Sequence, residues 1–219
     1  MPSSPLWKLR RLAPRAKRIQ GRRSDESPVI AAYSHTLPPK ADAFVAAYDE
    51  AAKHDNTWRR EMNEGKGAVA QLLAHIKSWL PLLERDVPQF QVATFGDKPD
   101  IPDDVIEDGA RMLEILGEST DAQGNGLPYA RTAADELNSA LALANREWAE
   151  AEAADSTHQK LLERVRATAA VFDTDLQAFR RTLGHVVGRN DKDYQRLRAE
   201  RVLHTDQEEE GDMPPPVKP

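Results

Sequence analysis

The 219-residue sequence has no cysteine and only 6% aromatic residues, and its longest uninterrupted apolar run is six residues, Ala43 to Tyr48. Without cysteine there is no disulfide scaffold, no thiolate nucleophile and no zinc site of the Cys-rich kinds. A run of six apolar residues neither spans a bilayer nor forms the core of a secretory signal, so the default compartment is cytoplasmic. Catalytic signatures are missing as well. No Gly-x-Ser-x-Gly, His-Glu-x-x-His or Glu-x-x-His occurs. Gly65-Lys66-Gly67 lacks the spacing and the Ser or Thr of a phosphate-binding loop, and a calcium loop begun at Asp121 would have Thr132 where a bidentate Glu is needed. These readings lead to a protein that is not an enzyme and carries no cofactor.

What the sequence does have is charge, 30 Lys and Arg against 36 Asp and Glu, arranged in blocks. Residues 1–23 hold Lys8, Arg10, Arg11, Arg15, Lys17, Arg18, Arg22 and Arg23 with no acid, a net of +8. Residues 206–219 hold five acids against Lys218, a net of −4, which leaves −10 of the total of −6 for residues 24–205. By composition, with Pro2, Pro5 and Pro14 at one end and Pro214 to Pro216 at the other, both termini read as poorly folded.

Periodicity organises the body. Steps of four and three from Phe44 reach Tyr48, Ala51, Asp55, Trp58, Met62, Gly65, Val69, Leu72, Ile76, Trp79 and Leu83, and ten of these twelve positions are apolar. The same test from Leu127 runs through Leu137, Leu141, Trp148, Val165, Phe172, Leu176, Phe179 and Leu183 to Val186, interrupted only by Asp155 and His158. Both are heptad seams of long helices. Pro39 suits a first turn, Pro81 a kink, and Gly65 with Gly67 a close approach or a soft spot. Ser156 and Gln159 have the spacing of a capping box, but the unchanged phase favours a continuous helix. Between the seams, residues 88–101 read as an extended strap in which Phe90, Val92 and Phe95 can pack. A helix follows from Pro102 with Val105, Ile106, Ala110, Leu113 and Leu116 inward, then a turn at 120–126. Gly188 and Asn190 offer a stop and a fresh N-cap for a short last helix. The expected fold is all-α: an elongated antiparallel helical bundle with two long heptad-patterned helices, a shorter middle helix and a short C-terminal helix. Its parts are a basic, mostly disordered arm (1–38), the bundle (39–204) and an acidic, Pro-rich disordered tail (205–219).

Two groups of residues invite a functional reading. An antiparallel pairing brings the middles of the long helices together, with His54, Asp55, Arg59 and Arg60 on one and Asp155 and His158 on the other. His54, Asp55, Asp155 and His158 are the candidates for a metal; the plainer reading is a polar layer of Asp55, Asp155, Arg59, Arg60 and His158 that fixes register. The basic arm is the sharper signal. Its eight cations suit phosphates on nucleic acid or an anionic surface, a targeting segment, or the protein's own acids. The sequence therefore reads as a non-enzymatic scaffold or protein-interaction module that binds a protein partner or self-associates, with polyanion binding through residues 1–23 as the alternative and a metal-binding bundle as a third reading.

Overall fold

Two helices of 50 and 57 residues, α3 (Leu37–Asp86) and α5 (Ala130–Val186), organise the chain in the computed structural model. The structure describes residues 4–87, 95, 100–120 and 124–198. The other helices are α1 (Ser4–Arg23), the one-turn α2 (Pro28–Ala31), α4 (Pro102–Glu118) and α6 (Lys192–Arg198). The protein is an all-α helical bundle; among the described residues there is no strand, only an isolated bridge between Thr120 and Gly126 that closes the expected turn. No helix among them is long and apolar enough to cross a membrane.

The helices pack as two compact units, both traversed by α3 and α5. Unit 1 comprises residues 1–55 and 158–219, and unit 2 residues 56–157. Within unit 1 the two long helices run antiparallel. Lys40 pairs with Asp175 at 2.7 Å, Phe44 stacks on Phe172 at 5.8 Å between ring centroids, and Glu50 meets Arg164 at 2.9 Å. Within unit 2 they are antiparallel again, the indole N–H of Trp58 donating to Asp155 at 2.8 Å and that of Trp79 to Glu136 at 3.2 Å. The heptad positions supply both cores: Phe44, Ala51, Val165, Phe172, Phe179 and Leu183 in unit 1, and Val69, Leu72, Ile76, Leu83, Leu137 and Ala144 in unit 2. Helix α5 passes Ser156 without a break, and α3 continues through Pro81 to Asp86.

Three expectations are corrected. The arm of residues 1–38 is not a disordered segment. Residues 4–23 are α1, and Leu6, Leu9, Leu12, Ala13, Ala16 and Ile19 are buried in the core of unit 1. Pro14 lies inside this helix on its exposed side, and the burial of six apolar side chains offsets its cost of about 3 kcal/mol. The inner face of α4 is turned: Val105, Gly109, Met112 and Leu116 are buried while Ala110 is exposed. Gly109 is the reason. A Cβ there would stand 3.1 Å from both Leu72 methyls, so the bare backbone sets the face that approaches α3. The cap of α6 is Asp191, not Asn190; its carboxylate accepts the Asp193 amide at 2.7 Å, after Gly188 ends α5 with φ +88°. The start of α5 falls at Ala130, two residues after Pro128. Of the strap, Phe95 is buried with the Arg111 guanidinium 4.1 Å from its ring centre, while Phe90 and Val92 lie outside the described residues, as does the tail 205–219.

The two glycines of α3 differ in kind. A Cβ on Gly65 would sit 2.9 Å from the Ala151 Cβ and 3.0 Å from the Glu147 carbonyl oxygen, whereas nothing lies within 4 Å of one on Gly67. Gly67→Ala therefore raises stability by about 0.5–1 kcal/mol through helix propensity. Gly65→Ala forces α3 and α5 apart in unit 2 and costs about 1–3 kcal/mol. Urea titration of the two variants checks the opposite signs.

Candidate polyanion-binding face

The side chains of α1 sort by helical spacing. Leu6, Leu9, Ala13, Ala16 and Gln20 follow steps of three and four and are buried, with Leu12 and Ile19 beside them. Docking this stripe on unit 1 leaves the opposite stripe, Lys8, Arg11, Arg15, Arg18 and Arg22, exposed and likewise spaced by three and four. Trp7, 47% exposed, lies on the same side, and the Arg11 guanidinium sits 4.8 Å from its ring centre.

The eight arm cations divide into two groups. Arg10, Lys17, Arg22 and Arg23 fasten the helix. Arg10 pairs with Asp49 at 2.8 Å and lies over the Tyr48 ring, and Lys17 pairs with Asp42, both acids on α3. Arg22 and Arg23 converge on Asp193 of α6, and Arg23 also holds Asp191 and Glu26 at 2.9 and 2.8 Å. Burial alone would push the Asp193 carboxyl up. Hydrogen bonds from Arg22 and Arg23, with their charges, outweigh it and hold its pKa below the usual carboxylate value. The Arg23 guanidinium is held charged even more firmly than usual, first by its hydrogen bond to Glu26 and then by Asp193. Lys8, Arg11, Arg15 and Arg18 form the second group. They have no acid partner among the described residues, and they span about 15 Å along the helix at 1.5 Å per residue.

Folding also concentrates charge. Unit 2 carries nine Lys and Arg against 19 Asp and Glu, a net of −10. Residues 24–55 and 158–205 of unit 1 balance at 12 against 12, so the positive character of that unit is the +8 of residues 1–23.

The mid-bundle residues are divided between the two units. In unit 1, His54 stacks on His158 with 6.0 Å between ring centroids; His158 and Asp55 are each 5% exposed. In unit 2, Asp155 accepts from Trp58, and Arg60 turns to Glu61 and Glu64 of its own helix at 2.5 and 4.0 Å. Arg59 is exposed. Asp155 thus meets an indole N–H, because Trp58 occupies the facing seam position. Among the described residues no three His, Asp or Glu form a group that could hold a metal ion, and His54, Asp55, Asp155 and His158 do not assemble as one.

His75 faces Glu136 at 3.6 Å, His35 is exposed, and His204 lies outside the described residues. The fastening role of Arg22 and Arg23 was not readable from their own segment. Its signal lies 170 residues away in the acidic pair Asp191 and Asp193 of the short last helix. Comparison with protein-family models, with curated proteins and with solved structures finds no match to this chain.

Proposed function

We propose that the chain is a non-enzymatic binding module whose bundle displays a rigid cationic helix face to a polyanion, the phosphate backbone of nucleic acid. The observation that carries this reading is the division of the arm cations. Four are spent on holding α1 in place, and Lys8, Arg11, Arg15 and Arg18 are left on one exposed stripe with no acid partner among the described residues. About 15 Å of helix face corresponds to roughly nine duplex charges at 1.7 Å of axis per charge, enough for four simultaneous contacts. Contacts of this kind neutralise phosphates without reading bases, so the binding is salt-dependent and sequence-tolerant. A membrane surface is the weaker match, since an interfacial helix sinks its apolar face into lipid and the apolar face of α1 is already in the core.

Deleting residues 1–23 is the wrong test, because it removes core side chains together with the charges. The informative variant is Lys8→Gln, Arg11→Gln, Arg15→Gln, Arg18→Gln, which changes exposed groups only. Fluorescence anisotropy with a short duplex DNA at several salt concentrations is expected to show a wild-type affinity that falls steeply with salt. In the variant the slope of log K against log salt is smaller by about 3–4, and affinity at low salt drops by more than about 100-fold. Equal slopes for the two proteins, or wild-type binding to phosphatidylserine vesicles but not to DNA, would reject the reading.

A further inference from the structure

We infer that copies of this chain associate with one another, the outer face of α1 in one copy seating in a groove on unit 2 of another. The receiving site is a groove of about 460 Å³ between α4 and α5, wholly within unit 2. Its floor is apolar, formed by Ile106, Leu141 and Trp148, and its rim carries Asp103, Glu107 and Glu152. The three rim carboxylates are exposed and have no cation partner among the described residues. The Trp148 indole N–H is buried without an acceptor. An apolar floor ringed by unneutralised carboxylates suits a partner that brings an apolar anchor flanked by cations.

The outer face of α1 has that composition. Trp7 is one of the few large apolar side chains left exposed among the described residues, and Lys8 and Arg11 flank it. Trp and Arg are the side chains over-represented among energetically dominant interface residues. Dimensions agree as well. Lys8 to Arg15 spans about 10 Å of helix, and the groove is walled by α4 from Asp103 to Ala110, about the same length, and by α5 from Leu141 to Glu152, somewhat longer. The long-range field points the same way, since the face belongs to the segment of net +8 and the groove to the unit of net −10. Electrostatic steering of this kind speeds encounter and fixes orientation. Face and groove are different surfaces of one chain, so each copy can both give and receive the contact. This inference shares the α1 face with the polyanion reading but depends in addition on the groove.

A charge-swap experiment tests it on the full chain. The face variant is Arg11→Glu, Arg15→Glu, and the groove variant is Glu107→Arg, Glu152→Arg, all exposed positions. Sedimentation velocity over a concentration series at low salt is expected to show association of the wild type that disappears at high salt. Each variant alone associates at least 10-fold more weakly, while an equimolar mixture regains association, because acidic face then meets basic groove and basic face meets acidic groove. If charge reversal unfolds either variant, Arg11→Gln, Arg15→Gln and Glu107→Gln, Glu152→Gln supply the two single losses. A wild type that stays monomeric at low salt overturns the inference. So does a mixture that fails to recover, or a groove variant that associates as well as the wild type. Glu107→Gln, Glu152→Gln keeps the native α1 face and adds no cation, so its DNA affinity reports on the polyanion reading separately.

Discussion

Leu9→Ala lowers the stability of unit 1 by about 2–5 kcal/mol, the range for truncating a fully buried leucine. Leu9 has no exposed surface and belongs to the same buried cluster as Phe44, Phe172 and Phe179. Removing three side-chain carbons leaves a cavity that the long helices close only in part. If residues 1–23 were an unstructured arm, the substitution would have no effect. Lys8→Ala, one position earlier on the exposed face, stays within about 0.5 kcal/mol of wild type. Urea unfolding of the pair, followed by circular dichroism, separates the two cases. A Leu9→Ala midpoint equal to that of wild type would return α1 to the status of a tethered, inessential segment.

The same comparison shows how far the sequence reaches. Both long helices are legible because steps of three and four persist for some 40 residues or more, and the structure buries those seams. Residues 6–20 contain the same signal, Leu6, Leu9, Ala13, Ala16 and Gln20, and it is hidden only when the segment is judged by its prolines and its charge. Composition averages over faces, whereas burial follows one face at a time. Charge behaves in the same way. Along the chain the −10 is spread over residues 24–205, but it belongs wholly to unit 2, because residues 24–55 and 158–205 fall in unit 1 and their charges cancel. The site on α1 was legible as a set of eight cations. Which four remain available was not, since Asp42, Asp49 and Asp193 become their neighbours only through tertiary packing. At mid-bundle, periodicity places Asp155 on the seam but cannot choose between the Trp58 indole and an arginine one or two residues further along α3. Metal ligation was the reading most exposed to this error, since ligand convergence depends on tenths of a helical turn.

Asp193 closes unit 1 at its ends, and removing its charge has the second large effect. Its side chain is 3% exposed and receives Arg22 and Arg23 from α1, joining α1 to α6. Asp193→Ala removes the carboxylate that Arg22 and Arg23 share and costs about 1–3 kcal/mol; the figure is limited because Arg22 is half exposed and Arg23 keeps Asp191 and Glu26. The carboxyl pKa is depressed in the folded protein, chiefly because the two arginine hydrogen bonds outweigh burial. The stability it contributes is therefore fully present above its unfolded pKa, near the ordinary carboxylate value, and is lost as pH falls through the lower folded value. Measured between neutral pH and about pH 2, wild-type stability includes this acid-sensitive contribution, and Asp193→Asn lacks it, so the difference between the two proteins narrows towards the acid end. A difference that stays constant over that range would mean that Asp193 acts through shape alone. Arg23→Gln should reproduce most of the loss at neutral pH, because the Arg23 guanidinium also ties Asp191, the cap of α6, to α1. Combined with Asp193→Asn, its cost should be less than additive, as expected for side chains that share one network.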